Sequence, residues 1–312
     1  MDPDTGYRYY TNSQRERAST IRRLREIGMP LHTVAAVLAG DVDDATRLLD
    51  EHVRDLEQRA RDAALVAETV KMAFGRSGSG VVVSAAELAD AIAQVFPAAA
   101  QGGEFPVLRG IFVEATQNSL VLTATDRYRL TTRTLVDVGG GGGDWSRVVD
   151  AAELAAALSS VRRDEDIRVS ASVAEFRLDG GGVDLRFTAL DDVFPDYRSM
   201  LGSLRPVSTR AVLSREALLQ VLNDAGSTAV RCWFGSGGLT STIGGDDLLV
   251  PATVEGTDVT LTFDPATLRP AVEGAVGPEI MVDISGPDQP VVIRSAGAGD
   301  LTTLVMPVRA DS

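Results

Sequence analysis

A chain of 312 residues with 44% hydrophobic content can hold two or three domains with real cores, but only 5% is aromatic, so Val, Leu and Ala must fill them. Net charge is −14: residues 1–80 carry 12 basic and 13 acidic side chains, which leaves 18 and 31, a net of −13, for residues 81–312. No run approaches the ~18 apolar residues of a membrane span, no charged-then-apolar leader opens the chain, and one cysteine, Cys232, excludes an internal disulfide. A soluble, intracellular protein is expected.

The basic residues of the first part cluster. Arg8, Arg15, Arg17, Arg22, Arg23 and Arg25 face only Glu16 between residues 8 and 25, so any nucleic-acid contact is expected here. Thr11 and Gln14 have capping-box spacing, opening a helix whose apolar stripe is Ile21, Leu24 and Ile27 and which Gly28 and Pro30 stop. A second short helix is predicted over Leu31–Ala39, ending at Gly40. Then Leu49, Val53, Leu56, Ala60, Ala63, Ala67, Val70 and Phe74 recur at alternating steps of four and three. That is a heptad seam on one helix of about 33 residues, roughly 50 Å long, and it predicts a two-copy coiled coil. Gly75 to Gly80 reads as a flexible linker.

Beyond the linker come short alternating strands and four amphipathic helices, near residues 84–97, 151–162, 214–225 and 265–274. The pattern repeats. Ser84 to Leu88 answers Ser214 to Leu218, Asp150-Ala151 answers Asp264-Pro265, and Asp166 to Ser170 answers Glu279 to Asp283. The expected organisation is one α+β domain duplicated, each copy with two helices and about eight strands. The predicted boundaries are 1–40, 41–75, a linker at 76–81, and two tandem domains at 82–203 and 204–312.

Little in the sequence suggests chemistry. The five-glycine run from Gly139 is followed by Asp144-Trp145, where a phosphate cradle needs Lys and Ser/Thr. His32 and His52 stand on different helices with no cysteine nearby, so surface or seam positions are expected and no metal site. Cys232 beside Trp233 and Phe234 reads as a packed strand residue. No nucleophile–base pair is visible, and no enzyme or cofactor is expected.

Four segments in order carry a resemblance: Phe105 to Gly110, Ala124 to Leu130, Phe194 to Arg198, and Val305-Met306-Pro307-Val308-Arg309. Over residues 82–312 the chain resembles the second and third domains of the bacterial sliding clamp, the beta subunit of DNA polymerase III. The resemblance implies a surface groove that docks short peptides. Its residues here would be Leu108, Thr125, Arg127, Tyr128, Arg129, Leu130, Pro195, Ser199, Met200, Leu304, Met306, Pro307, Val308 and Arg309. Two departures stand out. Arg127 replaces a glycine of the family, and Ala310-Asp311-Ser312 replaces an apolar terminal residue. The clamp's other task, encircling DNA, is thinly supported, because helix 84–97 has no basic residue, helix 151–162 has only Arg162 at its end, and Arg215 and Arg269 in the other two are balanced by Glu216 and Glu273.

Gly6 to Tyr10, then Ile21 to Gly28 and the long helix after it, resemble the mercuric-resistance (MerR) family of transcription regulators. That resemblance implies a phosphate-gripping wing, with Arg8, Tyr9, Arg22 and Arg23 as backbone contacts, and an antiparallel helix pair for dimerisation. The family's helix-turn-helix precedes the position of Gly6, where this chain has Met1–Thr5. Either the true start lies upstream or the reading helix is lost, and Arg15 and Ala18, standing where larger apolar residues usually pack, favour the loss.

The expected function is a non-catalytic, DNA-associated MerR-type regulator carrying a clamp-like module that docks a peptide or protein. Expected partners are DNA, the docked peptide and a second copy of the chain, with no membrane. The alternative is a replication or repair accessory clamp, three copies closing a ring. A third reading is a scaffold without DNA contact.

Overall fold

In a computed structural model the chain is described over residues 11–73, 80–116, 118–136, 139, 144–163, 165–172, 174–190, 192–295 and 300–308, with backbone only for 12, 13, 61, 62 and 64–73. It divides into two compact units, Met1–Lys71 and Met72–Ser312.

The first unit holds α1 (Asn12–Glu26), α2 (Leu31–Ala39) and most of α3 (Val42–Ala73). The capping box forms as its spacing predicts: Gln14 N–H donates to Thr11 Oγ1, and Gln14 Oε1 accepts from Thr11 N–H at 2.9 Å. Gly28, at φ +77°, turns the chain after α1 in a conformation that side chains resist. Leu24, Met29 and Val34 form a small core, joined by Ile21, Val37, Leu38 and Leu49. His52 departs from the expected surface or seam position. It is buried, with Nε2 3.0 Å from the Ile27 carbonyl oxygen, and so satisfies a backbone group at the end of α1.

The second unit runs β1 (Gly80–Ser84), α4 (Ala85–Val95), β2 (Gly110–Ala115), β3 (Ser119–Thr125), β4 (Arg129–Val136), β5 (Trp145–Asp150), α5 (Ala151–Ala157), β6 (Asp166–Ala171), β7 (Glu175–Gly180), β8 (Val183–Leu190) and α6 (Tyr197–Gly202). It continues with β9 (Thr209–Ser214), α7 (Arg215–Ala225), β10 (Val230–Gly235), β11 (Gly238–Ile243), β12 (Asp246–Val250), β13 (Ala252–Gly256), β14 (Val259–Phe263), α8 (Pro265–Gly274), β15 (Glu279–Ile284), β16 (Val291–Ser295) and β17 (Leu301–Val305). One sheet of 13 strands has the order β1-β6-β7-β8-β5-β2-β3-β4-β17-β16-β15-β9-β13, and a second has the order β12-β11-β10-β14. The pairings are antiparallel throughout. This is an α+β architecture.

The sequence repeat returns as repeated local physics. Ser84 and Ser214 each cap a helix through the side-chain oxygen, accepting from Glu87 N–H and Ala217 N–H. Asp150 and Asp264 do the same for α5 and α8, accepting from Ala152 N–H and Ala266 N–H. Ser84 pairs with Asp166 across β1 and β6, and Ser214 pairs with Glu279 across β9 and β15. Each half encloses its own apolar cluster, one around Ile111, Leu154, Ile167 and Phe176, the other around Leu213, Leu222, Phe263 and Ile280. Cys232 belongs to the second cluster, where burial pushes its thiol up to about 12. It is therefore protonated and packed, as the sequence suggests.

Helices α7 and α8 cap each other. Arg215, the first residue of α7, donates to the carbonyls of Val272 (2.9 Å) and Glu273 (2.6 Å) in the last turn of α8. Arg269 of α8 returns the contact to Leu222 O and Gly226 O at the end of α7. A cation over the negative end of a helix satisfies orphan carbonyls and complements the dipole. Arg215→Ala and Arg269→Ala are each expected to cost about 1–2 kcal/mol, read from urea midpoints. A change within measurement error for both would show that these arginines are not structural.

Candidate peptide groove

The segment Thr125 to Leu130 shapes itself before it shapes anything else. Asp126 Oδ1 accepts from the backbone N–H of Tyr128 and of Arg129, each at 3.0 Å, while its Oδ2 takes the Arg129 Nε–H at 2.9 Å. Thr125 Oγ1 accepts from Arg127 N–H at 3.2 Å and donates to Arg129 O at 2.8 Å. A short carboxylate and a hydroxyl at these spacings replace the hydrogen bonds that the reversing backbone gives up. Arg129 then donates from Nη1 to Ala266 O at 3.1 Å, tying the turn to the start of α8.

Arg127 sits at φ +84°, the non-glycine residue with a positive φ among those described. A side chain in that region costs of order 1–2 kcal/mol, so a glycine is the easier occupant. The guanidinium lies over the Phe105 ring at 5.5 Å, a cation–π contact that offsets part of the cost.

β4 pairs with β17 directly after this turn. Leu130 faces Leu304, and Thr131 and Thr303 share a buried hydroxyl contact at 3.2 Å. The ladder goes one step further, with Met306 N–H donating to Tyr128 O at 2.8 Å. The final strand therefore lies beside the turn.

Phe194 to Arg198 builds the neighbouring wall. Phe194 stacks on Phe112 of β2 at 4.9 Å, and Tyr197 meets both rings edge-on at 6.5 Å. Tyr197 Oη donates to Glu114 Oε2 at 2.6 Å, and Arg198 Nη1 donates to Glu114 Oε1 at 2.6 Å. Burial first, then the Glu114 carboxylate, pushes the Tyr197 phenol up to about 12. Asp196 caps α6 by accepting from Ser199 N–H at 3.0 Å. With its first turn fixed, α6 presents Met200 to the groove, and Ser203 and Leu204 follow just past its end.

The groove has a volume of about 280 Å³. Of the residues predicted from sequence, Thr125, Arg127, Tyr128, Arg129, Leu130, Met200, Leu304 and Met306 line it together. Leu108 instead belongs to the apolar cluster that also holds Leu130, Phe194, Tyr197 and Leu304. Pro195 and Ser199 are exposed and lie off the lining. Pro307 and Val308 line an adjoining pocket of about 520 Å³ with Arg231, Thr260 and Thr262, where Val308 N–H donates to Thr262 O at 2.8 Å. Arg309 lies outside the described residues. Sequence reasoning missed Ser203, Leu204, Asp288, Gln289 and Pro290. Asp288 borders both pockets and pairs with Arg205.

In the first unit, Arg22 and Arg23 are exposed on α1, and Arg22 holds Glu26 at 2.9 Å. Arg8 and Tyr9 lie outside the described residues. On α3, Leu49 is partly covered by the α1–α2 core, while Val53 and Leu56 are exposed (46% and 36%), with Ala60 and Ala63 exposed beyond them. The side chains of Ala67 and Val70, and all of Phe74, fall outside the description. No group of three metal-ligating side chains occurs among the described residues, and no described helix is long and apolar enough to cross a membrane.

The family model for the central domain of the DNA polymerase III beta subunit matches residues 82–196, and that for the MerR HTH family of regulatory proteins matches residues 1–41. Among solved structures, the beta subunit from Thermotoga maritima is 22% identical over 76% of this chain and 67% of its own, with a TM-score of 0.67. The sliding clamp from Bacillus subtilis is 20% identical over 76% and 66%, also at 0.67. A ligand-bound sliding clamp from Pseudomonas aeruginosa is 19% identical over 75% and 68%, at 0.68. The chain thus joins an N-terminal segment similar to MerR-type regulators to a region with the sliding-clamp α+β fold.

Proposed function

We propose that this protein is a non-catalytic, DNA-associated regulator: α1 and the residues before it contact DNA, α3 pairs with a second copy, and two tandem clamp-like domains (82–203 and 204–312) present a groove to a peptide or protein. Its place is the cytoplasm, on the nucleoid. The observation that carries the docking half is the meeting of Tyr128, Leu130, Met200, Leu304 and Met306, from three distant parts of the chain, around one open apolar groove. Apolar lining with hydrogen-bonding groups at the rim suits an extended peptide with Leu or Phe anchors.

Val53 and Leu56, exposed on a helix of 32 residues, support the coiled-coil pairing, since a lone amphipathic helix gains little by leaving its stripe in water. The same chemistry speaks against the ring alternative. Helix α4 carries Glu87 and Asp90, α5 carries Glu153, and the arginines of α7 and α8 are spent on each other's carbonyls. A duplex would meet few uncommitted cations there.

Gel shifts of the full chain on duplex DNA test the DNA half. Arg22→Ala/Arg23→Ala should weaken binding on all sequences and lower the salt slope by about two. An unchanged slope would remove α1 from the interface. Duplex affinity that survives this change but falls on altering α4, α5, α7 or α8 would favour the encircling clamp instead.

A further inference from the structure

The pocket that adjoins the peptide groove has walls of its own. Val308 N–H donates to Thr262 O at 2.8 Å, a bridge that lays this stretch of chain along the outer side of β14, the end strand of its sheet. Pro307 and Val308 are thereby held as one wall, and Pro287 and Asp288 line the same space. The small sheet supplies Arg231, Thr260 and Thr262. Arg231 is register-paired with Thr262, so the two side chains leave the sheet on the same face, and Thr260, two residues earlier on β14, shares that face.

Arg231 is the unusual member. It is exposed, and among the described residues its guanidinium has neither an ion pair nor a hydrogen bond. The neighbouring arginines are engaged: Arg129 with Asp126, Arg198 with Glu114, Arg205 with Asp288, and Arg127 over the Phe105 ring. Thr242, register-paired with Arg231 on its other side, gives its hydroxyl to Asp247 at 2.6 Å. Acids are not scarce, since residues 81–312 carry 31 of them against 18 basic side chains. A lone cation facing a pocket in so acidic a region is an attractive point for a foreign carboxylate.

We propose that this pocket is the charge-reading end of the groove, where Arg231 takes a carboxylate of the docked peptide, an Asp or Glu a few residues from its apolar anchors. The inference rests on the docking reading proposed above. Asp288 lines both spaces, and Met306 of the groove leads directly into Pro307 and Val308 of the pocket. Two residues of extended chain cover about 7 Å, so a peptide running beside residues 306–308 passes from apolar surface towards Arg231 within a few residues. The guanidinium offers a planar fork that matches a carboxylate, and the hydroxyls of Thr260 and Thr262 can donate to the same group. A dianionic phosphate would find one cation here, with the Asp288 carboxylate on the pocket wall, and duplex DNA needs several cations. A single carboxylate is the anion that suits.

Fluorescence anisotropy on the full chain with three labelled peptides tests this. All carry Leu and Phe anchors; one has glutamine on both flanks, and the others have glutamate on the N-terminal or the C-terminal flank. Glutamate on at least one flank should tighten binding about tenfold over the all-glutamine peptide. Arg231→Gln should abolish that gain and hold the all-glutamine peptide within about twofold. It should also melt with the native chain, since the guanidinium holds nothing in the free protein. Three results overturn the inference while the anchors still bind and the groove stands: no gain on either flank, a gain that survives Arg231→Gln, or tighter binding when phosphoserine replaces the glutamate. If none of the peptides binds, the docking reading itself fails and this inference falls with it.

Discussion

Phe176→Ala is expected to lower the stability of the second unit by about 3–5 kcal/mol, the range for a fully buried aromatic cut back to alanine. Phe176 is 1% exposed near the start of β7 and packs edge-on to Trp145 at 6.1 Å and against Phe187 at 6.0 Å. Its neighbours cannot close the gap cheaply. β7 is held on one side by β6 and on the other by β8, and Phe176 is register-paired to Ala171 and Phe187. The chain has nine Phe and two Trp in 312 residues, so each buried ring carries a large share of a core otherwise made of Val, Leu, Ile and Ala. Denaturant unfolding followed by tryptophan fluorescence and circular dichroism reads the loss, and a drop below about 1 kcal/mol would mean that the cluster repacks. Because β4 and β17 join the two halves through five pairs, both probes should move together. A transition that splits would instead reveal two independently folding domains.

The legible parts of this fold are those whose causes are close in sequence. The Thr11–Gln14 box satisfies backbone groups within three residues, so its spacing alone announces it, and the serine and aspartate caps fall at residues where the sequence repeats. The recurrence of caps and strand starts at similar offsets is readable for the same reason. What stayed hidden depends on residues far apart. Asp288, Gln289 and Pro290 reach the groove from a loop more than 150 residues beyond Thr125, with no periodicity to mark them. Leu108 is buried in an apolar cluster, and Pro195 and Ser199, though close in sequence to the lining Met200, are exposed off the groove. The reciprocal capping by Arg215 and Arg269 is equally invisible, because each arginine alone reads as an ordinary surface cation. His52 reads as unremarkable on its helix, because the Ile27 carbonyl it meets at the end of α1 is 25 residues away in sequence.

Met200→Asp should cut the affinity of a labelled peptide with Leu and Phe anchors by roughly 100-fold while leaving the fold intact. Met200 is 39% exposed on α6 and lines the groove beside Leu204, Leu304 and Met306. In the free protein an aspartate at this point stays hydrated, so stability should change by no more than about 0.5 kcal/mol. In the complex the peptide would strip water from that carboxylate with apolar walls around it. Arg127, which also lines the groove, has its guanidinium over the Phe105 ring, and Arg205 already holds Asp288. Desolvating a charge without a partner costs several kcal/mol, and about 2.7 kcal/mol corresponds to the 100-fold loss. Met200→Leu, which keeps the apolar surface, should bind within about threefold of the native chain, since volume-conserving apolar exchanges cost little. Fluorescence anisotropy on the two variants decides the matter. Equal affinity for Met200→Asp and the native chain would mean that the peptide docks elsewhere, whereas equal loss in both variants would mean that the shape of Met200, rather than its apolarity, is what the partner reads.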